Sequence, residues 1–291
     1  MADTEIRKGM KTFFLNVDSS LVLDELQLQV FFLGGYEVYP LPESHLISIE
    51  NQIECLHGLF SELIVFLNID QQLKGTTWEE VIFRCTGTFG RKVRFGVFHH
   101  ESDSAKKRKI EETYLLKLEI QAGCIFIPRS RTRDIVTIQR ALVANEANGR
   151  RKAIRMLCSG RLNFTLAARR YEARILDISI SHLTCIFKKE DPQLETSTRI
   201  SDIQMMVGGP VFNVDAYVLM KRVSPENSSD MVYVFGFAKT DSTELGIDES
   251  NRMLLIGLIH RYCSEHILEL VRAAFQKRRQ HNSLSNRGAP S

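Results

Sequence analysis

Seven residues, Gly149-Arg-Arg-Lys-Ala-Ile-Arg155, carry four cations: Arg150, Arg151, Lys152 and Arg155. Widened to Gly149–Arg174, the stretch holds eight basic residues and one acid, Glu172, a local charge of +7. The chain as a whole carries +3, so everything outside that stretch sums to −4. A cationic excess this local points to an anionic ligand. Arginine suits one better than lysine does. Its guanidinium forks onto an anionic group such as a phosphate with two charge-assisted hydrogen bonds, whereas lysine offers a point charge. Further on, Tyr171-Glu-Ala-Arg-Ile-Leu-Asp177-Ile-Ser179 has the pattern of a strand. Alternate side chains of a strand share a face, so Asp177 and Ser179 are expected to project together, in phase with Ala173 and Ile175. A carboxylate there accepts from paired N–H donors, and a hydroxyl either donates or accepts.

The cations and the strand require elements to position them. The first 140 or so residues alternate strand and helix. Lys11–Val17, the short Tyr36–Pro42, Leu63–Asp70, Lys92–His100 and Gly123–Arg129 read as strands. Helices are expected over Ser19–Gly35, over Ser44–Phe60 and over Ile110–Gln121, with the polar run Glu101–Lys109 before the last of these and Lys106–Lys109 in it as a solvated loop. Such alternation predicts a doubly wound α/β layer with function at the carboxyl ends of its strands. Arg131–Gly149 follows as a helix, its apolar stripe Ile135, Val136, Ile138, Leu142 and Val143, and fades into the polar Asn145–Gly149. Beyond it the period changes from 3.6 to 2. GRLNFTL, YEARILDIS, HLTCIFK, VFNVDAYVLMKRV and MVYVFGFAKT are β-like runs separated by turn residues, the pattern of an antiparallel barrel or sandwich. A helix over Asn251–Lys277 closes the sequence, with Lys277–Arg279 suited to its C-terminus. The expected division is 1–148 for an α/β domain, 149–245 for a β-barrel, 246–279 for a C-terminal helix and 280–291 for a disordered tail.

Arg151–Arg155, preceded by Arg150, and then Asp177-Ile-Ser179-Ile-Ser-His182 resemble the RxxxR and DxSxxG signature of PilZ domains. The resemblance spans about residues 145–245. It implies a non-enzymatic receptor for the bacterial second messenger cyclic di-GMP, with Arg150, Arg151, Arg155, Asp177, Ser179 and His182 as ligand-binding residues. It also implies no catalytic residue, no metal, no cofactor besides the ligand, and regulation of motility or virulence through a protein partner. His182 stands where the family has glycine, and glycine there allows positive φ or close approach to a ligand. A second function is therefore carried alongside: a degenerate adaptor that has lost its nucleotide and works through protein–protein contact. The α/β order is similar to that of receiver domains, Asp70 falling at the place of the phospho-acceptor and Asp18 after the first strand. The adjacent second acid and the Lys-Pro after strand five are missing, since the sequence has VDSS and FIPRS. The resemblance therefore implies a receiver-shaped dimerisation or docking module.

Composition fits this outline. The 291 residues are 44% hydrophobic and 25% charged, enough for two globular cores. The six cysteines, mostly beside apolar runs, have neither CxxC nor metal-ligand spacing and are expected to be reduced thiols. His99-His100 is expected to be structural. MADTEIRKGM lacks the apolar core of a secretory signal, and the longest clean apolar run, Met253–Ile259, is far shorter than a membrane span. A cytoplasmic protein is expected. Nucleic acid is not expected as a partner, because only Phe164 and Tyr171 lie among the cations to stack on bases.

Overall fold

The computed structural model describes residues 9–17, 25–42, 47–148, 154–188, 191–240 and 242–285. The chain divides into two compact units, Met1–Lys152 with Ser264–Ser291, and Ala153–Cys263.

The first unit is built on a five-stranded parallel sheet: β1 (Met10–Val17), β2 (Val38–Pro42), β3 (Glu62–Asn68), β4 (Val93–His99) and β5 (Gly123–Phe126). The strand order is β2-β1-β3-β4-β5, one of the common doubly wound orders. Consecutive apolar residues form such strands because both faces are covered. Phe13, Leu15, Val65 and Phe95 face one core, while Phe14, Ile64, Phe66 and Phe98 face the other. Four α-helices connect the strands, α1 (Glu25–Leu33), α2 (Ile49–Leu59), α3 (Trp78–Phe89) and α4 (Ser104–Glu111), and α5 (Arg131–Ala144) follows β5. Gly96 pairs with Phe66 across β3 and β4, and a β-carbon at Gly96 would run into the Phe66 ring.

Three features of this unit differ from the sequence expectation. Helix α3 was not anticipated, although Thr77 and Glu80 form a capping box at its start. Helix α4 begins at Ser104, within the polar run expected as loop, because the Asp103 carboxylate accepts from Lys106 N at 2.9 Å. It passes into a π-helical turn over Glu112–Lys117. On α5 the buried stripe is narrower than expected. Ile138 and Leu142 are fully buried, whereas Val136 and Val143 face solvent.

The second unit is a closed barrel of six antiparallel strands: β6 (Met156–Leu166), β7 (Arg169–Ile178), β8 (His182–Phe187), β9 (Arg199–Met206), β10 (Val211–Val223) and β11 (Met231–Ala238). They run in the order β10-β11-β8-β7-β6-β9, with β9 closing on β10. Phe164, Phe187, Tyr233 and Phe235 fill the interior in edge-on and stacked contacts with centroids 5.4 to 6.5 Å apart. Strand β9, Arg-Ile-Ser-Asp-Ile-Gln-Met-Met, is the barrel element that the sequence pattern did not pick out.

The last helix, α6, runs over Glu249–Ser285, past the expected end at Lys277. Arg278 does not cap a terminus but forms an ion pair with Glu54 of α2. Ile267 and Val271 are buried in the α/β core with Ile53, Leu56 and Leu63. Earlier in α6, Leu258 and Tyr262 lie against Gly208 of the β9–β10 hairpin. No helix among the described residues is long and apolar enough to cross a membrane.

Candidate functional site

Four of the six expected ligand residues, Arg155, Asp177, Ser179 and His182, are described and belong to the β6–β7–β8 part of the barrel. Arg150 and Arg151 lie outside the described residues. Arg155 immediately precedes β6, and its Nη1 stands 3.7 Å from Asp177 Oδ1 near the end of β7. The Arg155 side chain is one-third exposed and the Asp177 side chain 17% exposed. Asp177 Oδ1 is itself shut off from solvent and makes no hydrogen bond. A desolvated carboxylate oxygen in that state costs free energy until a donor reaches it.

Asp177 occupies this place because of a bulge. Ile175 pairs with Cys185 of β8, but Asp177 already pairs with Thr184, so Leu176 is the extra residue. The bulge breaks the alternation that would have put Asp177 in phase with Ala173 and Ile175. Those two are buried in the barrel, and the buried phase resumes at Ile178. Asp177 is turned out of the interior series toward Arg155, and the expected sharing of one face by residues 173, 175, 177 and 179 does not hold. A matching irregularity in β6, between Leu157 and Gly160, sets Leu157 directly opposite Asp177. Leu157 is 40% exposed and is a neighbour of the carboxylate that the sequence did not indicate, since β6 was expected to start at Gly160. Cys158 also lies here. Burial pushes its thiol up to about 12, and the Asp177 charge adds to the shift.

Ser179 is fully buried, and its hydroxyl is committed within the β7–β8 turn. Its Oγ accepts from Ser181 N at 3.3 Å and from His182 N at 3.1 Å, while Ser179 N donates to the His182 carbonyl at 2.8 Å. This is a hydroxyl-stapled turn. His182 Nδ1 meets Ser181 Oγ at 2.8 Å and Ser179 Oγ at 3.1 Å. His182 opens β8 in register with Gly236 and is not among the residues with positive φ, so the left-handed backbone that would have required glycine does not arise. Three of the six expected residues, Arg155, Asp177 and His182, thus sit around one turn and one strand end that Ser179 shapes from within.

The carboxyl edge of the α/β sheet is the other place where chemistry was expected. Asp18 lies outside the described residues. Asp70 does not end β3 but follows it in a turn, and its Oδ2 accepts from His100 N at 2.7 Å. Asn68 is fully buried; its Nδ2 donates to Asn16 O at 3.3 Å and its Oδ1 accepts from Asp70 N at 3.2 Å. His100 Nδ1 lies 2.8 Å from the Ile127 carbonyl. His99 is buried against Phe126, and that burial pushes its imidazole pKa down. Lys107 stands over the same Phe126 ring at 3.4 Å. Asp70 here fastens a loop.

No family model matches the chain, and no curated protein matches it. Solved structures do. The PilZ domain of YcgR from Escherichia coli with c-di-GMP matches at 20% identity, covering 40% of this chain and 97% of that one, with a TM-score of 0.31. The Bacillus subtilis inhibitor of motility, MotI, matches at 11% identity over 41% of this chain and 52% of its own, with a TM-score of 0.32. The K. pneumonia MrkH–c-di-GMP complex matches at 15% identity over 44% and 55%, with a TM-score of 0.30. This chain thus spans about half the length of the last two.

Proposed function

We propose that the chain is a non-enzymatic PilZ-type receptor of cyclic di-GMP, in which Arg155 and Asp177 hold the ligand together with Arg150 and Arg151. The observation that carries this reading is the Asp177 Oδ1 atom, enclosed without a hydrogen bond 3.7 Å from the Arg155 guanidinium. Guanine supplies what that oxygen lacks, since its N1 and N2 hydrogens are paired donors for a carboxylate. Arg155, already beside the acid, is free at its outer edge to fork onto a phosphate or onto O6 and N7. Ser179 enters as the residue that fixes the turn, and His182 as the side chain presented at its end. Capture of the ligand would signal to a protein partner through rearrangement of the two units, to which the one helix α6 contributes in common.

Calorimetric titration with cyclic di-GMP tests the proposal. Micromolar binding, about 8 kcal/mol, is expected. Arg155→Ala should weaken it by roughly 5- to 150-fold, at about 1–3 kcal/mol for a bidentate contact. Unchanged affinity in an Arg151→Ala/Arg155→Ala double variant would remove the site. One observation favours the second reading, a degenerate adaptor: the Ser179 hydroxyl is already spent inside the turn and His182 fills the glycine position. In that case wild type binds nothing and His182→Gly gains binding.

A further inference from the structure

The outer surface of the barrel carries a row of side chains that the nucleotide does not explain. Arg174 of β7 lies directly opposite Arg161 of β6, Arg161 opposite Met206 of β9, and Met206 opposite Val211 of β10. All four are exposed: the Arg161 side chain at 75%, Met206 at 47% and Val211 at 58%, with Arg174 likewise outward. Strands lie about 4.8 Å apart, so the row is roughly 14 Å long, the footprint of one helix or extended segment. One end is dicationic and the other apolar. Tyr262 of α6, 41% exposed, flanks the apolar end through its contact with the β9–β10 hairpin.

Two arginines paired directly across a ladder repel and cost stability. Among the described residues the acid that pairs with them is Glu172, 3.9 Å from Arg161 with both side chains well exposed, a pair that contributes little. Arg174 makes no ion pair among the described residues. The fold gains nothing from this arrangement, and an anionic partner would. We propose that this face is a docking surface for an acidic, amphipathic protein segment, its carboxylates on Arg161 and Arg174 and its apolar side chains on Met206 and Val211. A second copy of the chain is a poor occupant. The face holds Arg161, Arg170 and Arg174 against Glu172 and Asp202, so a two-fold pairing would set cation against cation. Nucleic acid is also a poor fit, because Tyr171 is stacked on Phe164 rather than presented between the cations. Added strands are excluded, since the closed barrel offers no free edge. This surface stands apart from the nucleotide proposal and does not rest on it.

Photo-crosslinking tests it. The full chain, carrying benzoylphenylalanine at Gln204 beside the row, is irradiated in cells of its own source, and the adduct is mapped by mass spectrometry. The expected adduct is a protein segment with acidic and apolar residues. Its yield should fall at least tenfold in Arg161→Glu/Arg174→Glu and return when the acids of that segment are changed to lysine. An absent adduct, an adduct to a second copy, to nucleic acid or to lipid, or an unchanged yield in the double variant would overturn the proposal. Both residues are exposed, so the variant should keep its circular dichroism spectrum and melting temperature. An Arg161→Gln/Arg174→Gln variant, with an expected fivefold or larger loss, serves if it does not. Cyclic di-GMP affinity, where measurable, should stay within twofold in the variant. Loss of both would assign the arginines to the nucleotide instead and overturn the docking surface alone.

Discussion

At the scale of single residues, burial decides which polar groups are poised and which are spent. Ser179 and Asp70 have the residue types of a binding site, yet one staples a turn and the other holds a loop amide. Asp177 keeps an oxygen enclosed and unsatisfied. His99 is a third outcome, an imidazole kept neutral by burial, with Asp70, Glu111, Lys107 and His100 as the charges around it. Its folded pKa lies below the unfolded value of about 6.5. Above that pH neither state is protonated and the residue contributes no pH dependence. Below it the unfolded chain takes up a proton that the folded chain refuses, so stability falls as pH falls. Denaturant midpoints measured from pH 7.5 to 5.5 should therefore decline less in His99→Gln than in wild type. Parallel declines would show that His99 does not titrate on unfolding.

At the scale of elements, the β6–β7 hairpin shows a local cost. Its two connecting residues, Ala167 and Ala168, both have positive φ, at 48° and 62°. That is the requirement of a type I′ turn, which Asn-Gly meets without the penalty an alanine incurs. Ala167→Asn/Ala168→Gly should raise stability by about 1 kcal/mol, read as a higher denaturant midpoint with an unchanged slope. A lower midpoint would mean that the turn is held by something other than its backbone preference. The same elements show what the sequence made legible. Strongly apolar runs such as Lys11–Val17 and Leu63–Asp70 gave the parallel strands within a residue or two, and the change of period after Gly149 gave the barrel. Strand β9 escaped because Arg-Ile-Ser-Asp-Ile-Gln-Met-Met mixes exposed and buried positions around an irregular pairing with β10. Helix α3 carried a readable signal, since its buried Trp78, Val81, Ile82 and Cys85 fall at i, i+3, i+4 and i+7 behind the capping box, and only the exposed Phe83 blurs that stripe. For the site, residue types and spacing were readable, but its geometry was not. One extra residue in β7 moved Asp177 out of the phase of Ile175, and bulges leave no mark in alternation until the partner strand is known.

At the scale of the whole molecule, the units do not follow the order of the chain. Ile267 and Val271 belong to the α/β core although more than a hundred residues of barrel precede them. Each fully buried aliphatic side chain is worth about 1.5–3 kcal/mol, so the two together approach a large part of the 5–15 kcal/mol of an ordinary domain. A fragment of residues 1–148 should thus unfold at clearly lower denaturant than the same unit in the full chain, and a peptide of residues 264–285 should restore part of the difference. Equal midpoints with and without the peptide would mean that the helix contributes no core. During synthesis the arrangement reverses the usual sequence of events, in which the N-terminal domain matures first. The α/β unit, most of which precedes the barrel in the chain, has to wait, with part of its apolar surface uncovered, until the barrel and α6 as far as Val271 have been translated.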